Sequence, residues 1–453
     1  MPIMGKALAG IALIGTLLTA NTAGEVNLQE TASTVPKRVS EETVPAHIAF
    51  TSNQQLWILD ANEKRSQPVQ VTKQGSAQIA GWSHDGSWLL YIHYPQGDPY
   101  ATSGYLWAVN QDGSKAFRVD DKPVREMPKW SPNSLQIAYV TEVTRGEATE
   151  KEFVVKEIRE GERAELVSRS AADFVDFAWM PDGKQILVSL SADRQRPMKL
   201  SLRELTGKES ASYPLGAPPS ESDGGIYLWA PTGLKVSPDG KQVAYYVLYN
   251  SASLSADGVP IQLFDLSRPA NKPVQIGTGL SNPEWLTWSA DSEQLAFIEG
   301  TDRMATHNKQ LRVVNRTGDV ITETEKEKVA LFPAWTSQKP YSLFFTSGTG
   351  VPYEYEEQKV MVPGQRIWKR GNNGEIRQET KGAEQTADTF PFPNREGSQL
   401  LFVRLTAAET GSLFLQKDGK ETELVRHVTG EIGYYANYLP KWVDVYWMKV
   451  ERR

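Results

Sequence analysis

An eleven-residue pattern recurs along this chain and constrains its fold more than any other feature. It runs Gly81-Trp-Ser-His-Asp-Gly-Ser-Trp-Leu-Leu-Tyr91, then Lys129-Trp-Ser-Pro-Asn-Ser-Leu-Gln-Ile-Ala-Tyr139 and Ala178-Trp-Met-Pro-Asp-Gly-Lys-Gln-Ile-Leu-Val188. Lys235-Val-Ser-Pro-Asp-Gly-Lys-Gln-Val-Ala-Tyr245 and Thr287-Trp-Ser-Ala-Asp-Ser-Glu-Gln-Leu-Ala-Phe297 continue it. Degraded copies run from Ala334-Trp335 to Phe344 and from Pro391-Phe392 to Phe402, and Pro440-Lys441-Trp442 repeats the triplet Pro128-Lys129-Trp130. The resulting anchors are Trp82, Trp130, Trp179, Val236, Trp288, Trp335, Phe392 and Trp442. Units of about 50 residues containing several short strands are what propeller blades require.

One unit shows why. Residues 78–83 form a strand ending in a large aromatic that packs between neighbouring sheets. Asp85-Gly86 supplies a tight turn, because Gly tolerates positive φ and Asp bonds the turn backbone. Strands over 88–93, 105–110 and 116–119 complete the unit, giving a first-to-fourth order a, b, c, d. Residues 47–72 read as b, c and d strands with no a strand before them, and 434–442 read as an a strand with no blade after it. Joining them closes a ring by pairing the chain ends, which removes exposed sheet edges. The expected fold is therefore all-β: a single propeller over residues 47–450 with four-stranded blades, eight in number, with seven as the alternative. The 13 tryptophans are then largely a packing signature of the repeat; Trp229 and Trp368 fall outside it.

The pattern Trp-Ser-Pro-Asp-Gly-x-x-Ile/Val-Ala-Tyr/Phe resembles the repeat of the TolB-type, WD40-like β-propeller family. It is also similar to the propeller repeats of prolyl oligopeptidase and dipeptidyl peptidase proteins. The likeness covers residues 47–442 and is strongest over 130–139 and 236–245. It implies an extracytoplasmic binding platform, and it specifies fold more sharply than function. TolB itself has a six-bladed ring with an extra N-terminal α/β domain; this chain has more repeats and no room for that domain, so TolB's own role is not implied.

Residues 7–20 are an uncharged, largely apolar run after Lys6, with small residues following. As a helix they rise about 21 Å, short for a bilayer span, and the pattern is that of a secretory signal peptide. The expected organisation is a signal peptide over 1–24, a polar linker over 25–46, and a mature protein without a membrane span that works in the cell envelope or outside the cell, as a monomer. The absence of cysteine excludes thiol nucleophiles, disulfides and Cys-zinc sites. A net charge of −6 without a basic block argues against nucleic acid.

No catalytic motif stands out. There is no Gly-x-Ser-x-Gly elbow and no region left for a hydrolase domain. Ser83-His84-Asp85-Gly86 lacks the spacing of the sialidase box, so Asp85, Asp182, Asp239 and Asp291 read as turn residues. The five histidines show no zinc-binding spacing. Neither a catalytic residue nor a metal or other cofactor is expected. Glu126, Asp173, Asp176 and Glu284, at the inner ends of a strands, read as solvated carboxylates lining a central channel.

The a–b turns are short, whereas the b–c loops are elaborated and emerge on one face with the d–a crossings. Loops on a rigid scaffold collect binding residues, with Tyr, Trp and Arg as usual anchors. The candidates are Tyr94, Asp98 and Tyr100; Arg194 and Arg196; Asp302, Arg303 and His307; Tyr353 and Tyr355; and Trp229 in a d–a crossing. The function these features favour is a non-catalytic binding or scaffold module for a protein, peptide or glycan. The alternatives are a glycan- or lactone-directed hydrolase or lyase using channel-mouth carboxylates, and a structural spacer in an envelope complex.

Overall fold

The computed structural model describes residues 35–98, 103–145, 148–159, 163–220, 225–352, 360–431 and 439–449. Among these, helix is confined to Ala252–Ala256 and a 3₁₀ turn at Pro283–Trp285. The strands form consecutive four-stranded antiparallel units, the meander expected of propeller blades. Unit 1 joins Val443–Trp447 to Ala46–Ser52, Gln55–Asp60 and Val69–Gln70. Units 2 to 5 begin with the strands Ser76–Trp82, Lys129–Trp130, Asp176–Trp179 and Leu228–Val236. Units 6 to 8 begin with Leu286–Trp288, Lys328–Trp335 and Ala387–Pro393. Units 2 and 3 share one eight-stranded sheet through the pair Val124–Thr141.

Burial explains the sequence pattern within each unit. Second strands are covered on both faces, so Ile137, Ala138 and Tyr139 are all inaccessible and the strand reads as a continuous apolar run. Fourth strands lie outermost, and Val69, Val274, Val320 and Ile376 remain exposed there. The turn aspartates act locally. Asp85, Asp182, Asp239 and Asp291 each accept the N–H two residues on. At Gly86 φ is +74°, and a Cβ there would meet the Tyr446 ring at 2.2 Å, so this turn needs glycine twice over.

The ladder register corrects two anchors. Trp82 faces Leu89, Trp130 faces Ile137 and Trp335 faces Leu343. In the last two units the corresponding pairs are Pro393–Leu400 and Val445–Ile48. The anchors there are Pro393 and Val445, not Phe392 and Trp442. The repeated Pro-Lys-Trp triplet misled because the third of these residues, Trp442, stands three residues before its anchor.

The anchor indoles tie neighbouring units together. Each donates its Nε1–H to the carbonyl one residue before the preceding unit's anchor. The bonds are Trp130 to Gly81, Trp179 to Lys129, Trp288 to Lys235 and Trp335 to Thr287, at 2.9–3.3 Å. Trp82 makes the same bond to Asp444, 3.3 Å, which joins unit 2 to the C-terminal strand of unit 1.

Part of the expected linker is structured. Lys37–Arg38 adds a fifth strand to unit 8, against Val425 and Arg426. The Arg38 guanidinium is buried and donates to the carbonyls of Ser40, Glu42 and Glu63 at 2.6–2.9 Å. This segment therefore straddles units 8 and 1, and its polar composition disguised an arginine that caps orphan backbone carbonyls.

Candidate functional site

The position three residues before each anchor divides the molecule. In units 6, 7, 8 and 1 it is Trp285, Phe332, Phe390 and Trp442. Consecutive rings meet edge to face, with centroids 6.4, 4.8 and 5.6 Å apart, inside one buried cluster. Phe332 and Phe390 sit at bulges with φ of +52° and +51°, a conformation that costs a bulky residue about 1–3 kcal/mol and is held by the surrounding packing. In units 2 to 5 the same position is Ile79, Met127, Asp176 and Gly233, and here a cavity of about 670 Å³ opens.

Ionisable groups of several units face this cavity: Glu126, Lys129, Asp176, Lys235, Glu284 and Lys441. Three of them are engaged internally. Lys129 donates to Asp176 Oδ1 at 2.8 Å and to the Phe177 carbonyl. The second oxygen of Asp176 accepts the Leu234 N–H at 3.1 Å, which links units 3, 4 and 5. Burial pushes the Asp176 carboxyl up, but the Lys129 ammonium and these N–H donors outweigh it and hold the group below the usual range. Lys441 pairs with Asp444 at 2.5 Å.

The other three are uncommitted. The side chains of Lys235 and Glu284 make no hydrogen bond or ion pair among the described residues, and that of Glu126 has only Lys151 at 3.9 Å. Burial, reinforced by the Asp176 charge, pushes Glu126 up to about 7. Burial lowers Lys235, partly opposed by Glu284. Glu126, Asp176 and Glu284 all line this cavity, but Asp176, expected to be solvated, is buried and paired with Lys129. Asp173 is elsewhere, gripped by Arg203 through both carboxylate oxygens at 2.5 and 3.2 Å. The described residues hold no cluster of three His or carboxylate side chains suited to a metal.

Many of the expected loop residues are engaged with the protein itself. Arg303 pairs with Asp257 at 2.7 Å, tying the b–c loops of units 5 and 6. His307 Nδ1 lies 3.2 Å from the Val351 carbonyl of unit 7. Arg196 pairs with Asp193 within its own turn, while Arg194 is exposed. The carbonyl of Asp302 accepts Lys309, a fully buried lysine that also holds the Thr301 and His307 carbonyls. Trp229 lies on the first strand of unit 5, and its carbonyl accepts the Ala192 N–H. Tyr94 is buried, donates to Gln78 Oε1 at 3.1 Å, and lines a second cavity; Asp98 is exposed nearby. Tyr100, Tyr353 and Tyr355 lie outside the described residues. Trp368 is on the third strand of unit 7, packed on the core.

The sequence reading missed Lys129, Lys235 and Lys441. Lys129 and Lys235 stand beside an anchor and Lys441 beside the false one, Trp442, where a lysine looks like a solvated end of the repeat. The ring of positions three before the anchor would have shown the aromatic half, had the last two anchors been placed correctly.

No helix among the described residues is long and apolar enough to cross a membrane. No protein-family model matches the chain, and no curated protein does. Solved structures similar to it include TolB from Acinetobacter baumannii, at 14% identity and a TM-score of 0.39 over 61% of this chain and 62% of that one. Another is the β-propeller domain of the trilobed protease from Pyrococcus furiosus, at 13% identity and a TM-score of 0.42 over 78% and 96%. A third is the acylaminoacyl peptidase of Pyrococcus horikoshii, at 13% identity and a TM-score of 0.42 over 86% of this chain and 52% of that one. The chain thus spans less than two thirds of the TolB and about half of this peptidase. TolB is among the proteins whose repeat the sequence resembles.

Proposed function

We propose that this chain is an exported, non-catalytic propeller of eight blades, closed by the pairing of Val443–Trp447 with Ala46–Ser52, that binds a polar peptide or glycan segment in the open half of its centre. Closure is supported by the indole bond of Trp82 to the Asp444 carbonyl, which repeats across the chain ends the link made between internal blades. The observation that carries the binding reading is the trio Glu126, Lys235 and Glu284, contributed by three units to one cavity, with only the long Lys151 contact to Glu126 engaging these side chains among the described residues. Groups of both signs, partly desolvated and unspent, suit a chain bearing alternating donors and acceptors. Of the loop residues first expected to bind, Arg303 and His307 join neighbouring loops and Arg196 is paired within its own turn. Binding is therefore assigned to the cavity.

The test uses the immobilised mature protein and cell-envelope extracts of the producing organism. A partner retained by the native chain and by Arg303→Ala, but lost by Lys235→Ala and Glu126→Gln, supports the cavity. A partner indifferent to both cavity variants and lost with Arg303→Ala moves the site to the loops.

A second reading has its own observation. Glu126, held protonated to near neutrality, shares the cavity with ionised Asp176, and carboxyls driven apart in this way divide general-acid and anionic roles. Hydrolysis of glycosides or lactones with an alkaline limb near pH 7, abolished by Glu126→Gln, would establish it. Absence of turnover above the buffer rate would dismiss it.

A further inference from the structure

A pocket of about 280 Å³ adjoins the central cavity on the side of units 6 to 8. Its apolar wall is Pro283 before the first strand of unit 6, Phe332-Pro333 of unit 7 and Phe390-Pro391-Phe392 of unit 8. Lys235, Glu284 and Lys441 line both spaces, so pocket and cavity meet at a charged junction. Three lysines from different units converge on the cavity, and two of them are neutralised by carboxylates. Lys129 has Asp176 at 2.8 Å and Lys441 has Asp444 at 2.5 Å. The third, Lys235, has no side-chain hydrogen bond or ion pair among the described residues, and its ammonium is not among the buried atoms sealed off from solvent. Burial lowers it; Glu284 and Asp176 oppose that, and the ammoniums of Lys129 and Lys441 add to it. Glu284 is exposed and lies beyond ion-pair distance, so Lys235 lacks the close anion that the other two lysines have.

We propose that this pocket takes the C-terminal aromatic residue of a peptide, its ring against the Phe-Pro wall and its terminal carboxylate on Lys235, with the preceding residues in the larger cavity. The inference rests on the reading of the central cavity as the binding site and names the ligand class it takes. A ring and an anion on one residue match an apolar wall that ends at an unpaired lysine. An aspartate or glutamate brings the charge without the ring, and an aromatic residue inside a chain brings the ring without the charge. Aromatic side chains on the wall favour a ring as occupant, through edge-to-face contacts of the kind that Phe332 and Phe390 already make with each other. Sites for drug-sized ligands span roughly 300–1,000 Å³. The pocket lies just under that range and suits one large side chain, while the cavity of about 670 Å³ beside it has room for the residues before. Glu284, at the junction, is placed to accept the N–H of the last peptide bond.

Calorimetry on the mature protein with three probes is the direct test: acetyl-Gly-Gly-Phe, the same peptide as its C-terminal amide, and acetyl-Gly-Gly-Ala. The free acid ending in Phe should bind at least about tenfold tighter than its amide, which lacks the charge, and than the Ala peptide, which lacks the ring. Lys235→Gln should abolish the preference for acid over amide while leaving that for Phe over Ala. Phe392→Ala, on the half-buried part of the wall, should do the reverse. Equal binding of acid and amide overturns the assignment of Lys235, and equal binding of the Phe and Ala peptides overturns that of the pocket. No heat from any probe at millimolar concentration overturns the whole proposal without needing a variant. Competition separates this inference from the reading beneath it. An envelope partner that is lost by Lys235→Ala and Glu126→Gln, yet is not displaced by the Phe peptide, keeps the central reading and removes this one. Partners indifferent to both variants, in a protein that gives no heat with the probes, remove both.

Discussion

The inner strands of units 6, 7, 8 and 1 and those of units 2 to 5 occupy equivalent places in the repeat but are held together differently. In the first group a column of four aromatic rings, Trp285, Phe332, Phe390 and Trp442, fills the interior and belongs to the largest buried cluster. In the second the links are polar: Lys129 to Asp176, and Asp176 to the Leu234 N–H. The aromatic side is apolar, closely packed and strained at two residues. The polar side leaves a cavity faced by the ionisable side chains of Glu126, Lys235 and Glu284. One half is packed as apolar core and the other encloses a polar cavity, although both are built on the same repeated sequence unit. A repeat can thus divide its labour at a single position while every outer strand keeps the same pattern.

Substitution at that position should expose the difference. Trp442→Ala removes a ring that is 2% exposed and opens a hole against Phe390, so it should cost about 3–5 kcal/mol. Met127→Ala, at the equivalent place in the polar half and 37% exposed, should cost less than about 1 kcal/mol. Urea midpoints for the two variants decide it, and equal losses would break the division. Arg38→Ala should come next, at about 2–4 kcal/mol, because it strips donors from several carbonyls where units 8 and 1 meet.

Much of the fold was legible because blade physics is local. The Asp-Gly turns, the apolar second strands and the anchor tryptophans each follow from contacts within one unit or with its neighbour. The site was legible only in its carboxylates. Lys235 looks like any residue preceding an anchor until the Gly233 bulge and the neighbouring Glu284 place it in a cavity. The shift of the anchors to Pro393 and Val445 could not be read, because those units lack the tryptophan that marks the register and a proline-lysine-tryptophan triplet offered a false one. Arg38 was hidden for another reason: its partners are backbone carbonyls, which carry no side-chain signature.

The polar half should also show itself in the pH dependence of stability. Glu126 titrates near 7 in the folded protein and near 4.5 when unfolded, so between these values the folded state binds more protons. Its contribution is complete below about pH 4.5 and is lost as pH rises through 7. Glu126→Gln should flatten that slope and stabilise the protein at pH 8 by about 1–2 kcal/mol, as read from melting temperature against pH. A slope unchanged by the substitution would mean that the cavity solvates Glu126 far better than its lining implies.

The smallest expected effect tests whether the two halves belong to one ring. Trp130→Phe keeps the aromatic body and removes a single N–H donated to the Gly81 carbonyl inside the blade series. Trp82→Phe removes the same bond to Asp444, where the chain ends meet. A lost hydrogen bond of this kind costs about 1 kcal/mol. If the ring is closed by the C-terminal strand, both variants should lose this amount, because each weakens one of a set of equivalent inter-blade contacts. If unit 1 opens readily in solution, Trp82→Phe should cost almost nothing while Trp130→Phe retains its penalty. Hydrogen exchange of the Val443–Trp447 amides separates the cases again: protection equal to that of Gln136–Tyr139 requires closure, whereas rapid exchange confined to the last strand excludes it.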